Sequence, residues 1–171
     1  MLYYVLPNCS IALVPRVASM AIAMAAMQTY YFSFCGNLQT PLDYYRMMLN
    51  STTQTPNPAL PIYQLVRDPV TRFISALVSA QIAPADAVGK IGLLMQNDDH
   101  FRPQSQWQNT QAFQYETQIP QFCAAAGLPV PAVANDSVGA PTLTPAQTTG
   151  IQNLYASDVS FHNSLTAVSS S

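Results

Sequence analysis

The sequence predicts an α/β fold with a central, mainly parallel sheet flanked by helices. Short apolar, strand-like runs alternate along the chain with stretches of helical periodicity. One of these runs, Ile11–Val14, is unbroken, the pattern of a strand buried on both faces of a parallel sheet. The chain has 171 residues, 49% of them hydrophobic and only 8% charged. So few charges exclude a coiled coil, a polybasic tail and charge-driven disorder. The length suits a single domain over residues 1–171, large enough to bury a core without a disulfide or a metal.

The elements follow in order. Residues 1–15 are rich in Tyr, Val, Leu and Ile and read as a central strand that Pro15 stops. Ser19 suits the N-cap of a helix to about Phe34, closed by Gly36-Asn37. A short helix is expected over Leu42–Leu49, and a Pro-rich surface loop over Asn50–Pro61. Ile62–Val66 is the second strand. Asp68 then caps a helix whose first position is Pro69. Val70, Phe73, Ile74, Leu77 and Val78 form its buried face, with Arg72, Ser75 and Ser79 on another. A helix over Ala85–Gln96 contains Gly89 and Gly92, a strand is expected over Ala112–Glu116, and Ile119–Ala126 is a helix ended by Gly127. Val130–Ala134 reads as extended. Thr144-Pro145-Ala146-Gln147 opens the last helix as a capping box. That helix runs to about Leu165, with Ile151, Leu154, Tyr155 and Leu165 inward, and Ser169–Ser171 is a frayed tail.

Uncharged polar groups carry solubility, and residues 104–121 alone hold seven Gln. Net charge is −2, which gives no global electrostatic case for nucleic acid. The only Lys is Lys90; the other basic residues are Arg16, Arg46, Arg67, Arg72 and Arg102. Cys9, Cys35 and Cys123 lack CxxC spacing and read as buried thiols of a reducing compartment. His100 and His162 are not at ligand spacing from a Cys pair, so no metal is expected. The apolar run 11–27 has no charged segment before it and is interrupted by Pro15 and Arg16. It reads as strand and helix rather than signal peptide or membrane span, and the expected location is cytoplasmic.

Two constellations can carry chemistry. In Val14-Pro15-Arg16-Val17-Ala18-Ser19 a buried strand ends, a turn holds one Arg and one Ser, and a helix begins. Free N–H groups and the helix dipole make such a turn suited to an anion. A plain strand-to-helix turn with a solvated Arg is the alternative. In Leu65-Val66-Arg67-Asp68-Pro69 a second strand ends at a basic residue, with Ser75 two turns into the following helix. Open α/β sheets place ligands at such strand ends. Equally, Arg67 can pair with the capping Asp68, and Ser75 can be a small packing residue.

Arg67-Asp68-Pro69 through Arg72-Phe73 and Ser75-Ala76 resembles a segment of the sulfotransferase superfamily, and its carbohydrate-sulfotransferase branch most closely. The resemblance implies that Arg67 and Ser75 hold the 3′-phosphate of 3′-phosphoadenosine 5′-phosphosulfate (PAPS). Pro15-Arg16-Val17-Ala18-Ser19-Met20-Ala21 falls in the place of the family's Pro-Lys-x-x-Ser-Thr-Ser loop. By that match Arg16, Val17, Ala18 and Ser19 bind the 5′-phosphosulfate, and Arg16 also takes the catalytic place of the family Lys. Met20 and Ala21 depart from the pattern. Asp99-His100-Phe101-Arg102-Pro103-Gln104, Tyr115-Glu116, Phe122 to Gly127-Leu128, Asn135-Asp136-Ser137 and Leu154-Tyr155 with Asp158 are similar to further family elements, in the same order.

The resemblance implies a P-loop-NTPase-like sheet in a minimal sulfotransferase fold. It also implies sulfuryl transfer from PAPS to a hydroxyl, by branch a carbohydrate's. No metal, nucleic acid or membrane partner enters the scheme. His100 is the matching candidate for the general base, with Asp98, Asp99 and Glu116 as rivals. Trp107 and the Gln run can line an acceptor groove or be neutral surface. Such a member would be a small soluble bacterial or viral enzyme. The alternative is a degraded sulfotransferase fold reused as a structural or assembly component.

Overall fold

The computed structural model describes residues 1–30, 46, 52–53, 55–84, 87, 90–131 and 140–167. The chain is mixed α/β. Strands β1 (Tyr3–Val5), β2 (Ser10–Ala12), β3 (Thr52–Thr53), β4 (Ile62–Val66) and β5 (Gln111–Gln114) form one sheet in the order β3-β1-β2-β4-β5. β2, β4 and β5 are parallel, whereas β1 runs antiparallel to both β2 and β3. The helices are α1 (Ser19–Tyr30), α2 (Pro69–Ala80), α3 (Ile91–Asn97), α4 (Ile119–Ala126), α5 (Pro145–Leu154) and α6 (Ala156–Ala167), with a 3-10 turn at Gln104–Gln106. Among the described residues no helix is long and apolar enough to cross a membrane.

The start of the chain corrects the sequence reading. The expected single strand over residues 1–15 is two antiparallel strands. Pro7 has no N–H to donate to a ladder, and Leu6 N donates to Cys9 O at 2.8 Å, closing the turn between them. The central parallel strand is therefore Ser10–Ala12, in register with β4 from Ser10↔Ile62 to Ala12↔Gln64. Leu13 and Val14 lie beyond the last pair but stay buried.

β4 and α4 have the predicted bounds, and α2 starts as predicted. Asp68 Oδ1 accepts from Thr71 N at 2.8 Å, Pro69 occupies the first turn, and Gly127 ends α4 with a left-handed φ of 68°. The capping box at Thr144 and Gln147 is present. The last helix differs: it breaks at Tyr155, and Leu154 is exposed rather than inward. Turning there sends the Tyr155 ring into the core, where its hydroxyl donates to Phe101 O. Within the helix expected over Ala85–Gln96, Ala87 is helical, a turn interrupts at Lys90, and α3 runs from Ile91; Ala85 lies outside the described residues. The expected helix over Leu42–Leu49, the Gly36-Asn37 stop, Cys35, Asn135-Asp136-Ser137 and the tail also lie outside them, Arg46 excepted.

Two apolar clusters hold the elements. The larger joins β1, β2, α1 and α4, where Ala23, Ala25 and Ala26 bring α1 close to the sheet. The smaller joins α2, α3 and α5 through Phe73, Leu77, Ile91, Phe101, Ile151 and Tyr155. Phe101 packs edge-on to Phe73, with ring centroids 5.6 Å apart. Helix α2 is buried on more than its apolar face. Arg72 and Ser75, expected on a separate face with exposed Ser79, are 2% and 1% exposed. That polar face of α2 is covered by the segment after β2 and by the loop before the 3-10 turn.

Candidate functional site

β2 and β4 are adjacent and parallel, so the segments leaving their carboxyl ends lie side by side. Arg16 follows β2 and Arg67 follows β4. Between β2 and α1 the turn Pro15–Ala18 takes an unusual path: Arg16 has a φ of 66° and Ala18 a φ of 51°. Left-handed backbone costs a non-glycine residue about 1 kcal/mol or more, so the surroundings must hold it. Burial of Val17 and Ala18, each 4% exposed, is one part of that hold. Ala18 O accepts from Ile22 N, which starts α1. The first-turn N–H groups of Ser19, Met20 and Ala21 are those that no helical carbonyl can reach.

Guanidinium groups supply the rest of the hold. Arg16 Nε donates to Ser75 Oγ at 3.0 Å. Arg67 Nη1 donates to Arg16 O at 3.2 Å, and Arg72 Nε donates to Pro15 O at 3.1 Å. Three of the six basic residues thus meet at one turn. Neither Arg67 nor Arg72 forms an ion pair with a carboxylate among the described residues. Arg67 does not pair with Asp68; its guanidinium lies 5.0 Å from the centroid of the Tyr115 ring, a cation–π contact. Burial pushes Arg72 down to about 10, against the opposing fields of Tyr155, Asp158 and Asp99, so it stays charged at neutral pH.

The strand end bearing Arg67 is itself fixed. Gln104 Oε1 accepts from Arg67 N at 2.9 Å, and Gln104 Nε2 donates to Arg67 O at 2.8 Å. The side-chain amide acts as one more rung of pairing beyond β4. Asp158, fully buried on α6, holds Gln104 in turn. Its Oδ2 accepts from Gln104 N at 2.7 Å, and its Oδ1 from Ser105 N and Ser105 Oγ at 2.9 and 2.7 Å. Glu116 Oε1 accepts from Asp68 N at 2.9 Å, and its Oε2 lies 3.0 Å from His162 Nε2. Sequence reasoning missed this His162–Glu116 contact.

The structure brings Arg16, Val17, Ala18, Ser19, Arg67 and Ser75 together. Among the described residues no hydrogen bond joins His100 to Arg16, Arg67 or Ser75. Its ring Nδ1 lies 2.8 Å from Asp98 Oδ1, and its side chain is 44% exposed. Its loop is nevertheless tied to the turn, because Arg72 Nη1 and Nη2 donate to Arg102 O and Asp99 O at 3.0 and 3.2 Å. The rival carboxylates are engaged: Asp98 with His100, Asp99 with Arg102, and Glu116 as above. Trp107 is 2% exposed within the larger core, so it cannot line an acceptor groove. Its Nε1 has no hydrogen-bond partner among the described residues.

Val14, Val17, Ser19, Leu65 and Phe122 line a small cleft of about 10 Å³. The turn gathers two guanidiniums, a hydroxyl and the first amides of a helix, a donor set suited to phosphate or sulfate. No family model, no curated protein and no solved structure matches the chain.

The Asp98–His100 contact has a pH signature. Burial alone would raise the Asp98 carboxyl. The backbone and ring hydrogen bonds of His100, its charge and that of Arg72 outweigh burial and hold it below its ordinary value of 3.8. A depressed carboxyl stabilises the fold above its unfolded pKa, and that stability is lost as pH falls through the folded value. Asp98→Asn is thus expected to lower the melting midpoint at neutral pH. The gap from the parent protein should close as pH drops below 3.8, as read by melts across an acid series. A pH-independent gap would mean that the charge of Asp98 contributes nothing.

Proposed function

We propose that this chain is a sulfotransferase-like domain that binds PAPS at the Arg16–Arg67 corner and passes its sulfuryl group to a hydroxyl, by resemblance a carbohydrate's. The observation that carries the reading is the meeting of Arg16, Arg67 and Ser75 at the carboxyl ends of two adjacent parallel strands. Segments resembling separate family elements also meet there: Gln104 on Arg67, Asp158 on Gln104, and Tyr155 on Phe101. In the proposed reaction the acceptor oxygen forms a bond to sulfur while the sulfur–oxygen bond to the 5′-phosphate breaks. The leaving phosphate oxygen gains charge, which Arg16 neutralises, and the hydroxyl proton passes to His100. Arg67, Ser75, Ser19 and the α1 amides hold the donor in line.

The test is thermal unfolding with and without the desulfated product, 3′-phosphoadenosine 5′-phosphate. At 100 times its dissociation constant a ligand stabilises by about 2.7 kcal/mol. For a chain of this length the midpoint should rise by about 5–10 °C. Arg67→Ala should abolish the shift. His100→Ala should keep the shift and lower sulfuryl turnover.

One observation favours a second reading, a retained fold with a structural or assembly role. Arg16 Nε is bonded to Ser75 Oγ, so two of the groups meant for the donor satisfy each other. Met20 and Ala21, where the family loop has hydroxyls, point the same way. No shift at millimolar product would put this second reading first.

A further inference from the structure

Arg72 has no part in the chemistry above, yet it is among the largest fully buried side chains of the protein. Its planar fork spans two segments far apart in sequence. Nε donates to Pro15 O in the turn before α1, while Nη1 and Nη2 donate to Arg102 O and Asp99 O in the loop that bears His100. A guanidinium is rigid, so its donors on opposite edges cannot shift independently. Each bond is charge-assisted, and each links a side chain that packing fixes to a carbonyl of a segment outside the sheet and the helices. The turn has two left-handed residues that need such support. In the loop, Phe101, buried against Phe73 of α2, lies between the two residues whose carbonyls Arg72 holds.

We propose that Arg72 is a positioning residue that couples the Arg16 turn to the His100 loop, so that an anion held at the turn orders the loop where the acceptor must lose its proton. The inference rests on the reading of Arg16 and Arg67 as the donor site. Charge placed beside Arg16 and Arg67 draws the turn toward one geometry. Pro15 O then fixes Arg72, and Arg72 fixes Asp99 O and Arg102 O.

The test is amide hydrogen exchange on the full chain, followed at Ile22, whose N–H bonds Ala18 O at the turn, and at Phe101, whose N–H bonds Asp98 O in the loop. Saturating 3′-phosphoadenosine 5′-phosphate is expected to slow exchange at both, with Phe101 slowed about tenfold, the weight of one charge-assisted hydrogen bond. The product lacks the sulfuryl group that would face His100, so direct contact does not explain protection there. In Arg72→Lys, whose single ammonium cannot span both segments, slowing should persist at Ile22 and vanish at Phe101. Slowing at Phe101 that survives Arg72→Lys, or that is absent while Ile22 is protected, overturns the coupling. A protein that does not bind the product fails the donor reading instead. The coupling is then decided without ligand: Arg72→Lys must speed exchange at Ile22 and Phe101 together, while Tyr115 N, bonded to Val66 O beside β4, keeps its parent rate. A change confined to one segment, or equal at Tyr115, overturns it.

Discussion

Asp158→Ala is expected to destabilise the protein by about 3 kcal/mol, the cost of removing a buried charged acceptor from its donors. Three donors lose their acceptor at once: Gln104 N, Ser105 N and Ser105 Oγ. Gln104 N is buried with its residue, so water cannot replace the carboxylate there. Arg72 also loses one of the negative fields that offset its burial. Thermal unfolding should show the midpoint about 6–12 °C lower for a chain of this size. Asp158→Asn keeps one acceptor oxygen and the side-chain volume, and should recover part of the loss. Equal midpoints for the parent and the alanine variant would show that Gln104 is held by its bonds to Arg67 and by Gln64 Nε2, which donates to Gln104 O at 2.9 Å.

Phe101→Ala is expected to cost about 3–5 kcal/mol, the range for emptying a fully buried aromatic site. The ring is 0% exposed and meets Phe73 edge-on, and Phe73 in turn meets Tyr155 at 6.1 Å between centroids. Denaturant unfolding should give a lower midpoint with an unchanged slope. The damage should not stay in the core. Phe101 is flanked by His100 and Arg102, and its own carbonyl accepts from Tyr155 Oη. Loss of the ring therefore frees the loop that Arg72 and Tyr155 hold, and the proposed sulfuryl turnover, measured well below the midpoint, should fall as well. A variant that is destabilised but turns over normally would separate the loop from the reaction.

Features governed by neighbours in sequence were legible before the structure. Asp68-Pro69 starts α2, Gly127 ends α4, and Thr144-Pro145 starts α5, because each rests on backbone chemistry within one turn of the residue concerned. What depends on distant partners was not legible. Helical periodicity separates Phe73 and Leu77 from Arg72 and Ser75, but it does not show that carbonyls of Pro15, Asp99 and Arg102 await the guanidinium. Nor does it show that Tyr155 breaks the last helix to reach Phe101, or that Trp107 turns into the core. Arg16, Arg67 and Ser75 were legible as candidates because basic residues are scarce here and two of these sit at strand ends. That His100 bonds Asp98 rather than this group was not, because motif order carries no geometry.

The corner at β2 and β4 is assembled from residues 15–18, 67–75, 99–104 and 158, with the last supplied by α6. A ribosome delivers these pieces in that order. The β1–β2 pair can form as soon as its few residues emerge, because it closes only a tight local turn. The arginine corner must wait until Asp158 of α6 has emerged. Until α6 arrives, Gln104 lacks its carboxylate and three guanidiniums stand near one another without it. A nascent chain stalled before Asp158 would expose that uncompensated positive charge and a half-covered Phe101, a combination that invites chaperone capture. Arrival of α6 is then the event that fixes Gln104, and through it the strand end that bears Arg67.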